Sequence, residues 1–223
     1  MGKPPKRAIG APRNTRRASG ERAARARVLV VVGGKRTEDD YFRWVNQQIR
    51  GVNVRVVSKG RDPRGLLEEA TRLRDEERAT ARRADDASNV YDAVWVVTDV
   101  DDFARDLAQL RGRRLDGIAL AISNPCFEVW LVAHVDPNPK AAGAAVRGQA
   151  RELGLVSGND GKAPLLEQIA GRFAHAERTA LRLRAQHAGV SEFPADAPST
   201  NVDMVVRDLL DRAASSGMPV EDL

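Results

Sequence analysis

Three aspartates follow a short apolar run in the middle of the chain. Asp99, Asp101 and Asp102 come shortly after residues 93–97, which are β-branched, aromatic or small. In an extended strand the side chains of residues i and i+2 leave on the same side, so Asp99 and Asp101 are expected to lie together. Two carboxylates held close repel each other unless a cation lies between them, and Mg²⁺ prefers oxygen ligands. The spacing favours a divalent metal site, and an acidic turn that closes a strand is the structural alternative.

Two further acids, Glu38 and Glu128, also come shortly after apolar runs. A Gly-Gly pair follows residues 28–32, and Glu38 lies near the start of the helix predicted after that pair. Residues 118–122 precede Glu128, which is an acid inside a strongly apolar segment. Burial of such an acid requires a partner or raises its pKa. An interaction with the helix dipole is the structural alternative for Glu128.

Basic side chains lie close to the same strand ends. Lys35 and Arg36 follow the Gly-Gly pair, and Lys59 lies in the loop after a predicted strand at residues 52–57. We expect these three cations to bind the phosphates of a nucleic acid. The glycines lack the spacing of a P-loop, so a tight strand-to-helix turn is the simpler interpretation of the pair itself.

The first 27 residues carry most of the basic excess of the chain. They hold nine Lys or Arg residues and one acid, Glu21, whereas the whole chain has a net charge of +5. This segment is rich in Gly, Pro, Ala and Arg, has too little apolar surface to fold alone, and is predicted to be a disordered tail. Such a tail can neutralise phosphates, so DNA or RNA is the expected partner, with a merely solubilising tail as the alternative.

The order of apolar segments predicts the elements that position these side chains. Strands expected at residues 27–32, 52–57, 93–97 and 118–122 alternate with helical patterns. This alternation is typical of an α/β fold with a parallel sheet flanked by helices, formed here by residues 28–135. The alternating polarity of residues 52–57 indicates a strand at the edge of the sheet or one that is half-exposed. In such sheets, ligands bind outside the carboxyl ends of the strands, where the acids are expected to meet.

Beyond residue 135 the alternation stops. Residues 136–223 are predicted to form a C-terminal helical extension packed on the core, with helices at 141–157, 164–188 and 201–214. A Gly-rich turn at 157–161 and a Pro-rich loop at 193–200 separate these helices.

Several classes of protein are excluded by composition. The single cysteine, Cys126, permits no disulfide within the chain. No run approaches the roughly 20 apolar residues of a membrane span, and the basic N-terminus lacks the apolar region of a secretory signal. A cytoplasmic protein that does not enter a membrane is therefore expected. His134, within an apolar segment, is expected to be a hydrogen-bonded structural residue.

These motifs together resemble the RloB family of bacterial defence-associated proteins. The resemblance runs from about residue 28 to 210, and its most specific part is the segment that begins at Ser123. The matching motifs are Val28–Val32, Gly34, Thr37-Glu38, Tyr41-Phe42, Asp99-x-Asp101-Asp102-Phe103, Ser123-Asn124-Pro125-Cys126-Phe127-Glu128-Val129-Trp130-Leu131-x-x-His134, Lys162 and Pro198-Ser199-Thr200-x-Val202.

The resemblance implies a TOPRIM-like domain, a role in phage defence, and an ATPase partner protein. It also implies nuclease chemistry that depends on Mg²⁺ or Mn²⁺. A homo-oligomer is compatible with the resemblance. The catalytic residues are then expected to be Glu38, Asp99 and Asp101. The expected metal ligands are Asp99, Asp101, Asp102, Glu38 and Glu128.

One position departs from the TOPRIM pattern, which places a glutamate directly after the first strand. Gly33 occupies that position here, and the loss of this acid argues against two-metal catalysis. The alternative function is therefore a catalytically degenerate sensor or adaptor that binds an ATPase or nucleic acid. A receiver-like phosphate-binding protein also uses acids at strand ends, but it needs a Lys after residue 122, where Ser123 stands.

Overall fold

A computed structural model of the chain describes residues 25–60, 62–110, 115–189, 193–217 and 223. Nearly all of the predicted basic tail therefore lies outside the described residues. Within the described ranges, no helix is both long enough and apolar enough to cross a membrane.

Seven strands and seven α-helices make up the described chain. The strands are β1 (Ala26–Val32), β2 (Val52–Ser58), β3 (Ala93–Asp99), β4 (Ile118–Asn124), β5 (Val156–Ser157), β6 (Ala163–Pro164) and β7 (Ser199–Thr200). The helices are α1 (Thr37–Gln48), α2 (Pro63–Ala84), α3 (Ala104–Leu110), α4 (Glu128–Ala133), α5 (Gly143–Glu152), α6 (Phe173–Gln186) and α7 (Val202–Ser215).

Five of these strands form one sheet in the order β2-β1-β3-β4-β7. The four longer strands are parallel, and β7 pairs antiparallel with the last two residues of β4. This arrangement confirms the α/β fold and the edge position predicted for β2. Because β3 lies between β1 and β4, the segments that follow these three strands are neighbours at one end of the sheet.

Helices cover both faces of the sheet. Val28, Val30 and Val32 of β1 belong to the cluster formed with α1, α4, α6 and α7. Leu29 and Val31 pack in a second cluster that includes side chains of α2. All five side chains are fully buried, which explains why β1 is a continuous apolar run rather than an alternating one.

The C-terminal part differs from the predicted series of long helices. Helix α5 ends at Glu152, and a short β5–β6 hairpin follows, with Gly158 and Gly161 at positive φ in its turn. Helix α6 begins only at Phe173, and the predicted Pro-rich loop contains β7. Strands of two residues have no periodicity to detect, which is why the sequence pattern does not reveal them. The final helix, α7, lies close to its predicted position.

Beyond the end of β7, the side chain of Asn201 hydrogen-bonds to the edge of β4. Its side-chain Oδ1 accepts a 2.6 Å hydrogen bond from the backbone N–H of Ile122. Its Nδ2 donates to the carbonyl of Leu120 at 3.0 Å. Asn201 is the N-cap residue of α7, but its side chain makes no capping hydrogen bond to that helix. Its amide instead serves the backbone groups that a longer β7 would have paired.

Replacing Asn201 with alanine is expected to lower the free energy of unfolding by about 2 kcal/mol, because two backbone groups lose their partners. Urea unfolding followed by circular dichroism measures this difference. Asn53→Ala is the control, since Asn53 is exposed on β2, and it should change stability by no more than about 0.5 kcal/mol. Equal stabilities for the two variants would contradict this role of Asn201.

Candidate functional site

Three acids from three different elements meet at the carboxyl end of the sheet. Asp99 is the last residue of β3 and is in register with Ser123 of β4. Glu38 is the second residue of α1, which follows β1, and Glu128 is the first residue of α4, which follows β4. The topology therefore brings together side chains that are far apart in the sequence.

The acids line a cleft of about 540 Å³ that also contains basic side chains. Glu38 and Glu128 expose only 6% and 7% of their surface, so both carboxylates lie deep in this cleft. The lining residues are Gly34, Lys35, Arg36, Thr37, Glu38, Asp99, Asp101, Phe127, Glu128, Arg147 and Lys162.

Gly34 makes room for the carboxylate of Glu38. A Cβ atom at position 34 would coincide with the carboxyl group of Glu38. Burial raises the pKa of Glu38, and backbone hydrogen bonds from Glu38 itself and from Gly34 partly oppose that rise. The Gly-Gly turn thus has a second role besides reversing the chain, because it lets an acid from the helix pack against the end of β1.

Gly33 lies on the other side of this turn. Its N–H donates to the carbonyl of Val97 at 3.0 Å. A Cβ atom at position 33 would meet Leu66 Cδ1 of α2 at 3.3 Å and Thr98 Oγ1 at 3.7 Å. A side chain at position 33, where the resemblance implies a glutamate, would therefore start toward α2. The carboxylate of Glu38, by contrast, already lies in the cleft.

Asp99 holds the least satisfied carboxylate of the cleft. The residue as a whole is half-buried, but its Oδ1 is enclosed and has no hydrogen-bond partner in the described protein. Burial raises the pKa of Asp99 well above its usual range, and the nearby charges of Glu38, Glu128 and Asp101 raise it further. A hydrogen bond from the backbone of Phe127 opposes this shift. An enclosed acid of this kind is stabilised either by a proton or by a cation.

The pKa of Glu38 is raised to about 7, first by burial and then by the charge of Glu128. Lys162 acts in the opposite direction through its positive charge. The backbone hydrogen bonds to Glu38 lower its pKa as well, but by less than burial raises it. At neutral pH this carboxyl group is therefore divided between its protonated and ionised forms.

Asp101 faces a cation that no motif in the sequence marks. Its Oδ2 accepts a 2.6 Å hydrogen bond from Nη2 of Arg147, which belongs to α5. The backbone N–H of Asp101 donates to the carbonyl of Pro125, so the turn after β3 is tied to the turn after β4. Asp101 has a φ of +23°, a region that aspartate enters more readily than most residues. The side chain of Asp102, predicted as a ligand, lies outside the described part of the structure.

The basic side chains predicted to bind phosphate are not all at the cleft. Lys35 and Arg36 line it, and Arg36 forms a 3.0 Å ion pair with Asp160 of the β5–β6 turn. Lys59 does not line it, and its ammonium group pairs with Glu69 of α2 at 3.0 Å.

Lys162 reaches the cleft because the β5–β6 hairpin packs against the start of α1. The hydroxyl of Thr37 donates a 3.0 Å hydrogen bond to the carbonyl of Lys162. Lys162 was indicated only by the family resemblance, and Arg147 by nothing in the sequence. Arg147 follows the buried Val146 on a helix whose pattern predicts only packing, so no local signal marks it.

His134 is a structural residue, as expected from its apolar surroundings. Its ring is buried, and Nδ1 donates to the carbonyl of Trp130 at 2.9 Å. Burial lowers the pKa of His134 to about 4, so the ring is neutral at physiological pH. Cys126 is also buried, and burial followed by the charge of Glu128 raises the pKa of its thiol. Neither group is suited to act as a nucleophile in the cleft.

The donor types fit a hard divalent cation, but the ligand arrangement is incomplete. Carboxylate oxygens are the donors that Mg²⁺ and Mn²⁺ prefer, and Oδ1 of Asp99 is free to accept one. Among the residues that the structure describes, however, no group of three or more His, Cys, Asp or Glu side chains is arranged to hold a metal ion. One acid of the Asp-x-Asp pair, Asp101, is held by Arg147 instead.

Comparison with known proteins identifies one family. The family model described as RloB-like protein matches residues 28–209, which is most of the chain. This range includes all three acids that meet in the cleft, together with Arg147 and Lys162. Comparison with curated proteins and with solved structures finds no match. The chain therefore belongs to the RloB-like family.

Proposed function

We propose that this protein cleaves phosphodiester bonds in nucleic acid with the help of Mg²⁺ or Mn²⁺. The observation that carries the proposal is the enclosed, unpartnered Oδ1 of Asp99 among the acids of a cleft that also holds cationic side chains. A buried acidic cluster is costly without a positive partner. Substrate phosphates need cations beside the same cluster, and Lys35, Arg36 and Lys162 supply them.

Each side chain has a distinct role in this proposal. Glu38, Asp99 and Glu128 would hold the cation, and Asp101 and Asp102, which follow Asp99 in the sequence, would complete the set. The bound cation supplies charge neutralisation at the phosphate and a more acidic water. In the free protein, burial leaves Glu38 partly protonated at neutral pH, with a pKa of about 7, and a bound cation would take the place of that proton.

The family supports the wider setting of the proposal. Membership of the RloB-like family favours a part in bacterial defence against phage, in the cytoplasm and alongside an ATPase partner. The basic residues that precede β1 favour long-range attraction to DNA or RNA.

A second candidate function is a binding module without catalysis. Two observations favour it, namely Gly33 in place of the expected glutamate and the lack of a ready three-acid metal site among the described residues. In this alternative the cleft binds nucleic acid or a partner protein, and its acids do no chemistry.

Gly34→Ala is the sharpest test of the enzymatic proposal, because it moves one carboxylate without removing any acid from the sequence. The new methyl group displaces the carboxylate of Glu38, and a displacement of about 1 Å can lower a rate about 100-fold. The assay follows cleavage of end-labelled single- and double-stranded DNA and RNA in Mg²⁺, Mn²⁺ or a chelator. We expect wild-type cleavage in metal only, and a loss of about 100-fold in the variant.

Gly148→Ala is the matched control, since a Cβ atom at position 148 of α5 meets nothing within 4 Å. This variant should cleave at the wild-type rate. Unchanged cleavage by Gly34→Ala would remove Glu38 from the mechanism. Absence of metal-dependent cleavage by the wild-type protein on every substrate would support the binding module.

A further inference from the structure

Arg147 is the only contribution of α5 to the lining of the cleft. Its Nη2 lies 2.6 Å from Oδ2 of Asp101, and each side chain exposes more than a third of its surface. A guanidinium has five N–H donors in a fixed fork, and this contact uses one of them. Arg147 therefore has further donors for a group that enters the cleft.

The contact with Asp101 is of a kind that exchanges readily. An exposed ion pair contributes little to stability, because solvent screens the charges and two long side chains lose freedom. A phosphate group offers the same guanidinium two parallel, charge-assisted hydrogen bonds. A nucleic-acid phosphate in the cleft can therefore replace Asp101 as the partner of Arg147.

The exchange matters because the acid that Arg147 would release belongs to the acidic cluster of the cleft. Asp101 is the second acid of Asp-x-Asp, and it lies in the same cleft as Asp99. Arg36 also lines the cleft, but its partner, Asp160, does not. Among these two ion pairs, only the release of Asp101 by Arg147 returns a carboxylate to the acidic cluster.

We propose that Arg147 is a phosphate-binding residue, and that phosphate binding releases Asp101 to complete the metal site. This inference rests on the proposed function, because it concerns the same cleft and the same cation. Substrate and metal then bind cooperatively: each raises the affinity of the other by the same factor, which for such coupling is typically about 5- to 150-fold. The free protein binds metal weakly, which agrees with the incomplete ligand set of the described residues.

Metal affinity tests the inference without relying on cleavage. Mn²⁺ binding to the full-length protein is measured by the electron paramagnetic resonance signal of free Mn²⁺. The titration is run alone and with a phosphorothioate oligonucleotide, whose linkages resist cleavage, after subtraction of Mn²⁺ bound by the oligonucleotide itself. We expect the oligonucleotide to tighten Mn²⁺ binding to the wild-type protein at least about 5-fold.

Arg147→Met gives the opposite pattern. Without the guanidinium, Asp101 is free from the start, so Mn²⁺ binds this variant more tightly than wild type when no oligonucleotide is present. The oligonucleotide then adds no further tightening. Arg147→Lys keeps the charge but not the fork, and it should fall between the two. Arg151→Met, one turn along the same helix and exposed, should behave as wild type.

The outcomes separate this inference from the proposed function. In one outcome, Asp99→Asn loses Mn²⁺ binding, but wild type and Arg147→Met bind Mn²⁺ equally and are tightened equally by the oligonucleotide. This outcome overturns the role of Arg147 alone. Mn²⁺ binding that is absent from wild type under both conditions, or unchanged in Asp99→Asn, overturns the metal site and this inference with it.

Discussion

Asp99→Asn is expected to reduce metal-dependent cleavage by more than about 100-fold, since even groups that only orient metal ligands cost about 10- to 100-fold when lost. The substitution keeps the size of the side chain and removes its charge. The enclosed Oδ1 then belongs to a neutral amide, which is a poor ligand for a hard cation. Initial rates at saturating Mn²⁺, compared with wild type on the preferred substrate, measure the effect.

Two measurements keep this prediction separate from a loss of folding. Glu152→Gln, an exposed acid on α5, should retain the wild-type rate. In a chelator, Asp99→Asn should be at least as stable as wild type to urea, because it removes one member of a repelling acidic cluster. Cleavage that persists in Asp99→Asn at the wild-type rate would show that the chemistry takes place elsewhere.

Glu38→Gln is expected to stabilise the metal-free protein by about 3 kcal/mol at about pH 8, and by almost nothing at about pH 4. The folded pKa of Glu38 is about 7, against 4.5 for the ordinary side chain. Below 4.5 the group is protonated in both states and does not affect stability. Between 4.5 and 7 the unfolded state releases its proton first, so the wild-type protein loses stability as the pH rises. Above 7 the loss is complete.

Urea unfolding at several pH values in a chelator measures this difference. Wild type and variant must be compared at each pH, because His134 also makes stability depend on pH, in the opposite direction. The pKa of His134 in the folded protein is about 4, below the usual 6.5, so its contribution to the free energy of unfolding is lost as the pH falls from 6.5 to 4. A difference that does not change between acid and alkaline buffer would contradict the burial of Glu38. Saturating Mn²⁺ should narrow the difference by stabilising wild type.

The sequence predicted the elements of the parallel sheet because long, strongly periodic segments carry the clearest signal. The same reasoning placed Glu38, Asp99 and Glu128 after neighbouring strands, and these three residues line one cleft. Their mutual approach follows from parallel topology alone, since the ends of adjacent strands meet at the same edge.

What the sequence did not predict depends on contacts between distant segments. The β5–β6 hairpin and β7 are two residues long in each strand, so no period exists to detect. Arg147 enters the cleft only because α5 packs beside α4. In the sequence, one arginine on a helix surface cannot be told from any other solvent-facing arginine. Lys59 was predicted at the phosphate site from its place after a strand, but Glu69 of α2 holds its side chain.

The close fit between Gly34 and Glu38 has a consequence for the evolution of the family. Because a side chain at position 34 and the carboxylate of Glu38 cannot occupy the same space, the two positions are expected to vary together. Relatives with a larger residue at position 34 should lack the acid at position 38 or hold its carboxylate in another place, whatever stands at position 33. If a search for relatives requires an acid directly after the first strand, it will discard proteins in which a helix supplies the acid at this end of the sheet.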